Sequence, residues 1–184
     1  MREVIGEVRE TLYDLRTDVS DKNDFISTMQ GFAARVGERS GLNIELQLDG
    51  ESRLPLIQER EMWRIAQESL TNVERHAQAE NVQIVWRCDG ESAMVRVADD
   101  GNGFQAANAG RLDSYGILGM RERAASIGAQ LEFESAPGEG TAVTCRLGAN
   151  EVSPLDPEGF LNDIQVEADR NPDSDFDHLR DSAS

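Results

Sequence analysis

The stretch from residue 57 to 77 constrains the fold more than any other part of this chain. Placed on a helix, Trp63, Ala66, Leu70, Val73 and Ala77 fall within about 80° of one another. That apolar stripe must be buried against a second layer. Glu68, Asn72 and His76 follow at i, i+4 and i+8 on another face, drifting only about 40° per step. One face is committed to a core, while a carboxylate, a carboxamide and an imidazole line up on the other. Carboxylate and amide oxygens are hard ligands suited to Mg²⁺. Taken alone, the same polar row also fits a solvated helix face.

The flanking patterns supply the partner layer. Residues 25–40 predict a helix with Phe25, Ile26, Met29, Phe32, Ala33 and Val36 on one side, Asp24 as N-cap and Gly41 as C-cap. Ile44, Leu46 and Leu48 alternate with polar neighbours, so residues 43–48 predict a strand ended by an Asp49-Gly50 turn. Strands are predicted at 82–88 and 93–98, joined by Asp89-Gly90, and at 131–135 and 141–147, joined by Pro137-Gly138-Glu139-Gly140. Residues 117–127 predict a helix closed by Gly128. This order specifies α+β architecture: a two-layer sandwich with a mixed sheet and helices on one face. Cys88 and Cys145 share the inward phase of their strands with Val82, Ile84, Trp86, Val143 and Leu147. They read as buried thiols; two distant cysteines make neither a disulfide framework nor a zinc site.

Charge narrows the function classes. Thirty-five acidic and 18 basic residues give a net −17. A general nucleic-acid binder or a protein that docks on anionic lipid needs the opposite balance. A phosphorylated nucleotide is not excluded, because backbone donors and a metal can hold phosphate inside an acidic protein. No run of about 18 apolar residues exists, so no membrane segment is predicted, and the first residues lack a signal-peptide pattern. A cytoplasmic setting is the expectation, which also suits the soluble part of a membrane-anchored protein. Residues 149–184 form an acidic tail, with ten acids against two arginines from Glu151 onward and prolines at 154, 157 and 172. Such a composition predicts disorder, with a short helix at 157–168 as the local alternative and partner docking as the functional one. At the other end, Val4, Val8, Leu12, Leu15 and Val19 are spaced 4, 4, 3 and 4, a coiled-coil-like seam that predicts a partner-seeking helix over 2–19.

Three further segments carry chemistry. Asp99-Asp100-Gly101-Asn102-Gly103-Phe104 directly follows a strand and opens a long Gly-, Ala- and Asn-rich loop over 99–114. An Asp there places a carboxylate at a strand end while glycines let a ligand approach the backbone; loops of that length are often functional. Tyr115-Gly116-Ile117-Leu118-Gly119-Met120 opens a helix, and free N–H groups at a helix start favour phosphate. Thr141 begins the last strand after a turn that also fits a plain hairpin, and its hydroxyl can donate to a ligand.

Together, in this order, these segments resemble the catalytic, ATP-binding domain of sensor histidine kinases in the GHKL ATPase superfamily. The stretch Arg64-Ile65-Ala66-Gln67-Glu68-Ser69-Leu70-Thr71-Asn72-Val73-Glu74-Arg75-His76-Ala77 is similar to the N box. The Asp99–Phe104 stretch resembles the G1 box, Gly116 to Arg123 the G2 box, and Gly138-Glu139-Gly140-Thr141 closes the set. The wording is closest to the nitrate-sensor-like kinases, whose response regulators carry helix-turn-helix output domains. The resemblance covers residues 2–148.

The resemblance implies a Bergerat-type fold over residues 22–148, with residues 1–20 the remnant of a second dimerisation helix. It implies ATP and Mg²⁺ as cofactors, with Asn72 coordinating the metal, Glu68 as the catalytic carboxylate, and Arg75 and His76 flanking the phosphates. Asp99 would accept from the adenine amino group, Gly101 and Gly103 would admit the base, and Thr141 would support the adenine side. Residues 105–115 would be the ATP lid, with Gly116 and Gly119 at its hinge. The implied partners are a response regulator and a dimerisation hairpin. One departure stands out. These kinases phosphorylate a histidine on a hairpin helix, yet the two histidines here are His76, inside the N box, and His178, inside the acidic tail. The acceptor is therefore expected outside this chain's usual place. A serine kinase of the anti-sigma-factor type and a non-catalytic nucleotide-binding adaptor are the alternative readings.

Overall fold

In the computed structural model, which describes residues 18–104 and 115–148, helix α1 (Phe25–Ser40) starts at the expected cap. Asp24 accepts the Ser27 N–H at 2.8 Å, and Gly41 ends the helix at a left-handed φ of 78°. Strand β1 (Asn43–Gly50) runs two residues further than the pattern predicted. Asp49 and Gly50 are not a turn but the last rungs of a ladder, with Gly50 opposite Cys88. Helix α2 (Leu56–Asn72) is followed by β2 (Asn81–Cys88), β3 (Ala93–Asp99), helix α3 (Tyr115–Ser126), β4 (Gln130–Ser135) and β5 (Thr141–Leu147).

The strands form one mixed sheet in the order β1-β2-β3-β5-β4. Only β1 and β2 pair in parallel; the other three ladders are antiparallel. The helices supply the other layer of the core. Trp63 is the pivot: it is fully buried and meets Phe25 and Phe32 edge-on at 6.2 and 5.5 Å between ring centres. Phe25 in turn stacks flat on Trp86 of the sheet at 3.8 Å. Each of these aromatic pairs adds roughly 0.5–1.5 kcal/mol beyond area burial. The predicted inward phase of β2 and β5 is borne out: Val82, Ile84, Trp86, Cys88, Val143, Cys145 and Leu147 all lie in the core, and both thiols are free. The stripe predicted on α2 is also inside, apart from Ala77, which is only partly buried.

Three further expectations are corrected. The helix predicted to reach residue 77 is α-helical only to Asn72; Val73–Ala77 forms a π-helical turn, closed by Gln78 at a left-handed φ of 53°. Helix α3 begins at residue 115 rather than 117, so Gly116 and Gly119 lie inside it. Asp18 and Val19 are not helical. Asp18 bonds Arg64 at 2.7 Å, Arg60 donates to the Val19 carbonyl at 3.3 Å, and Val19 is fully buried. Those contacts draw the segment onto α2 instead of letting it continue a helix. The rest of the helix predicted over 2–19, the loop centre and the acidic tail lie outside the described residues.

Candidate functional site

The site grows from the end of α2. Glu68 and Asn72 stand one turn apart, both half-buried, on the face that the stripe leaves free. The π-helical turn then widens the backbone, a feature that recurs at functional sites. It sets Arg75 and His76 at the exposed rim. Its position is fixed from outside. Arg39, in the last turn of α1, grips both oxygens of Glu74 at 2.7 and 2.6 Å. The turn's last carbonyl, Ala77 O, accepts the Asn102 N–H at 2.8 Å.

The loop after β3 is clasped to the same region. Asp100 accepts the Glu80 and Asn81 N–H groups, each at 2.9 Å, and the Asn81 side-chain amide at 2.7 Å. Burial pushes the Asp100 carboxyl upward, but these hydrogen bonds outweigh it and hold the group below the ordinary carboxylate range. Gly101 packs directly on the Ala77 carbonyl, where any side chain would collide with backbone. The glycine is required by close approach, not by a turn.

Asp99, the last residue of β3, is 8% exposed. Its Oδ1 accepts the Gly101 N–H at 2.9 Å. Burial raises its pKa; the Gly101 and Thr141 N–H groups pull it back only in part, and neighbouring Asp100 adds to the rise. A buried carboxylate with one oxygen committed is a strong acceptor for a ligand N–H.

These groups surround one cavity of about 530 Å³, within the usual range for a small-molecule site. Glu68, Asn72, Arg75, His76, Asp99, Gly103, Gly116 and Thr141 all line it. Eight of the ten residues singled out from the sequence are therefore brought together. Gly101 stands behind the wall. Gly119 does not reach it, and nothing lies within 4 Å of where its side chain would be. Gly116 is different: a side chain there would strike the Glu68 carboxylate. The opposite wall is apolar, built from Val73, Val97, Phe104, Ile117, Met120, Phe133 and Val143. The cavity thus combines apolar side chains and a buried acceptor with polar side chains from α2 and two side chains of the π-helical turn at its rim.

Residues 57–151, more than half of the chain, match the family model of histidine kinase-, DNA gyrase B- and HSP90-like ATPases. The chain belongs to this ATPase family. Its curated relatives include the histidine-protein kinase/phosphatase DegS of Brevibacillus brevis, 29% identical over 76% of this chain and 36% of that protein. The sensor histidine kinase YxjM of Bacillus subtilis is 32% identical over 79% of this chain and 35% of its own length. The chain thus spans about a third of these relatives. Among solved structures, the histidine kinase domain of the Erythrobacter litoralis EL346 blue-light activated kinase matches with a TM-score of 0.58 and 20% identity, over 73% of this chain and 65% of that one. Histidine kinase AdeS of Acinetobacter baumannii matches with a TM-score of 0.57 and 15% identity, over 79% and 80%. They share the α+β fold described above.

Sequence reasoning missed three contributors to this ATPase-family site. The apolar wall is spread over five elements, so no single segment announces it. Glu59 is 2% exposed on α2, where it accepts the Phe25 N–H at 2.7 Å and pairs with Arg53 at 2.9 Å. It anchors the start of α1 against the helix that carries Glu68. Ser135 ties Phe104 to the β4–β5 turn with a 2.8 Å bond from the Phe104 N–H. In the sequence it reads as one polar strand-end residue among many.

Proposed function

We propose that this cavity binds ATP with Mg²⁺ and that the domain transfers the γ-phosphoryl group to a histidine on a dimerisation hairpin, for relay to a response regulator. The observation that carries the reading is the make-up of this cavity: a buried acceptor, Asp99, on β3 among apolar side chains, and Glu68, Asn72, Arg75 and His76 on α2 and its π-helical turn. An adenine ring fits among the apolar side chains, with its amino group toward Asp99. The phosphates then lie toward α2 and its turn. The hard oxygens of Asn72 and Glu68 suit Mg²⁺. Among the described residues no group of three or more His, Cys, Asp and Glu side chains converges on one point, which suits an ion held largely by phosphate and water. Held there, the ion would supply neutralisation of charge on the transferring phosphoryl group. Glu68 sits where it can orient the incoming nucleophile, its carboxylate close against the bare backbone of Gly116. Arg75 and His76 shield phosphate charge at the rim.

In this reading the relevant kinases are the nitrate-sensor-like group, the regulator carries a helix-turn-helix output domain, and the reaction takes place on the cytoplasmic side. In the same reading, the segment before residue 18 is the end of the second hairpin helix, residues 22–148 form the ATP-binding domain and residues 149–184 are a tail. The phosphoacceptor is supplied from outside this chain's own two histidines.

The test is transfer in trans. Purified chain is mixed with γ-labelled ATP, Mg²⁺ and a separate dimerisation hairpin from a related kinase. The reading expects acid-labile label on the hairpin, abolished by Glu68→Gln or Asn72→Ala. Acid-stable label would favour serine phosphorylation. Tight ATP binding without transfer to any hairpin would favour an adaptor.

A further inference from the structure

Ser135 makes three polar contacts with one hydroxyl, and their bookkeeping has a consequence for the cavity. Its oxygen accepts the Phe104 N–H at 2.8 Å. It lies 2.9 Å from the Gly140 carbonyl, which can only accept. It lies 3.1 Å from the Thr141 hydroxyl, where either oxygen can donate. A serine hydroxyl has one proton and two lone pairs. The proton goes to Gly140, because a carbonyl has no proton to offer. One lone pair takes the Phe104 N–H. The remaining lone pair is satisfied only if Thr141 donates to Ser135.

The Thr141 proton is then spent away from the ligand. Thr141 lines the cavity, so it offers that space an oxygen with free lone pairs. Asp99, paired directly with Thr141 across the β3–β5 ladder, is the other acceptor there. The surroundings keep this arrangement rigid. The Gly138 N–H bonds the Asn102 carbonyl at 2.7 Å, and Gly103 packs against the Ala136 and Gly140 carbonyls. The β4–β5 turn and the loop after β3 are thereby locked together, with Ser135 at the centre.

We infer that Ser135 is a positioning residue that sets the direction of the Thr141 hydroxyl, so that Thr141 and Asp99 present a pair of acceptors selecting a base with an exocyclic amino group over one with a carbonyl in its place. This inference rests on the nucleotide reading above, which already places Asp99 and Thr141 on the adenine side, and adds Ser135 to it as the residue that directs the Thr141 hydroxyl. Ser135→Ala frees the Thr141 proton, which can then rotate toward the cavity and donate to a carbonyl.

Inosine triphosphate is the probe, because it carries a carbonyl where ATP carries the amino group, with a proton on the adjacent ring nitrogen. Dissociation constants for both are measured by calorimetry with wild type, S135A, S135T, T141V and the S135A/T141V double variant, alongside thermal melts. Wild type is expected to prefer ATP. S135A should weaken ATP by about five- to tenfold, the worth of one hydrogen bond, and narrow the ATP/inosine triphosphate ratio by a similar factor. S135T, which keeps a hydroxyl, should restore both. On the T141V background, S135A should change the ratio no further. An S135A ratio equal to that of wild type, or an equal effect with and without Thr141, overturns the inference. No binding of either nucleotide by wild type overturns the nucleotide reading itself. Hydrogen exchange at the Phe104 amide then decides the network on its own: faster exchange in S135A supports it, and unchanged exchange removes it.

Discussion

Asp99→Asn separates binding from stability, and the structure assigns opposite signs to the two. The Gly101 N–H sits 2.9 Å from Asp99 Oδ1. An asparagine offers only one acceptor oxygen, and the Gly101 and Thr141 N–H groups compete to claim it. The side-chain NH₂ is then left facing the cavity, where it meets the amino group of an adenine donor to donor. The loss is that of a hydrogen bond to a charged group, about 1.5–3 kcal/mol, so ADP affinity should fall roughly ten- to a hundredfold. Stability should move the other way. Burial raises the Asp99 pKa above its unfolded value, so the stability linked to this group is full below the unfolded pKa and is lost as pH rises through the folded one. At neutral pH the ionised carboxylate is a net cost, which asparagine removes while keeping the Gly101 bond. Calorimetric titration with ADP and urea unfolding at pH 7 measure the two effects. A D99N protein that binds ADP within threefold of wild type, or that loses stability in step with affinity, refutes the reasoning.

The two glycines of α3 should part company. G116A brings a methyl group onto the Glu68 carboxylate, so phosphoryl transfer should fall at least tenfold while helicity holds; G119A meets nothing within 4 Å and should stabilise by about 0.5–1 kcal/mol in urea. D24A removes the α1 cap, and unfolding free energy should drop by about 1 kcal/mol. The Ser27 hydroxyl and then its N–H hold the Asp24 pKa low. This contribution is therefore present above the unfolded carboxylate pKa, and the wild-type advantage over D24A should vanish as pH falls through the folded value. Burial pushes the Cys145 thiol up to about 12 and raises Cys88 as well. Neither thiol should react with an aromatic disulfide at pH 8 until the domain opens, so labelling should track the opening rate in urea, and immediate modification of the folded protein would contradict the buried assignment.

The parts of the fold that were legible in the sequence are those governed by local physics. Asp24 and Gly41 announced the ends of α1 because caps depend on a few neighbouring residues. The phase of β2 and β5 was readable because side chains alternate strictly along a strand. The candidate site was legible where residue type is forced, as at Asp99 and Gly103, while Gly101 was picked out for a role the fold does not give it. What escaped was set by distant partners. The π-helical turn interrupts a pattern that runs smoothly through Leu70, Val73 and Ala77; the cause is tertiary, with Arg39 gripping Glu74 and Asn102 bonding the Ala77 carbonyl. Glu59 looks like a surface carboxylate until Arg53 and the Phe25 N–H are brought to it. Val19 belongs to a heptad-like seam in sequence, yet it is core in the fold because arginines on α2 capture its own carbonyl and the Asp18 carboxylate.

Mapping of backbone amide shifts during titration with Mg-ATP tests the central claim most directly. The account predicts saturable shifts at the described residues around the cavity, led by Gly101, Gly103 and Thr141 on the base side and Asn72, Arg75 and Gly116 on the phosphate side, with D99N requiring far more nucleotide. Shifts confined to other surfaces, or a wild-type titration that D99N reproduces unchanged, would contradict it.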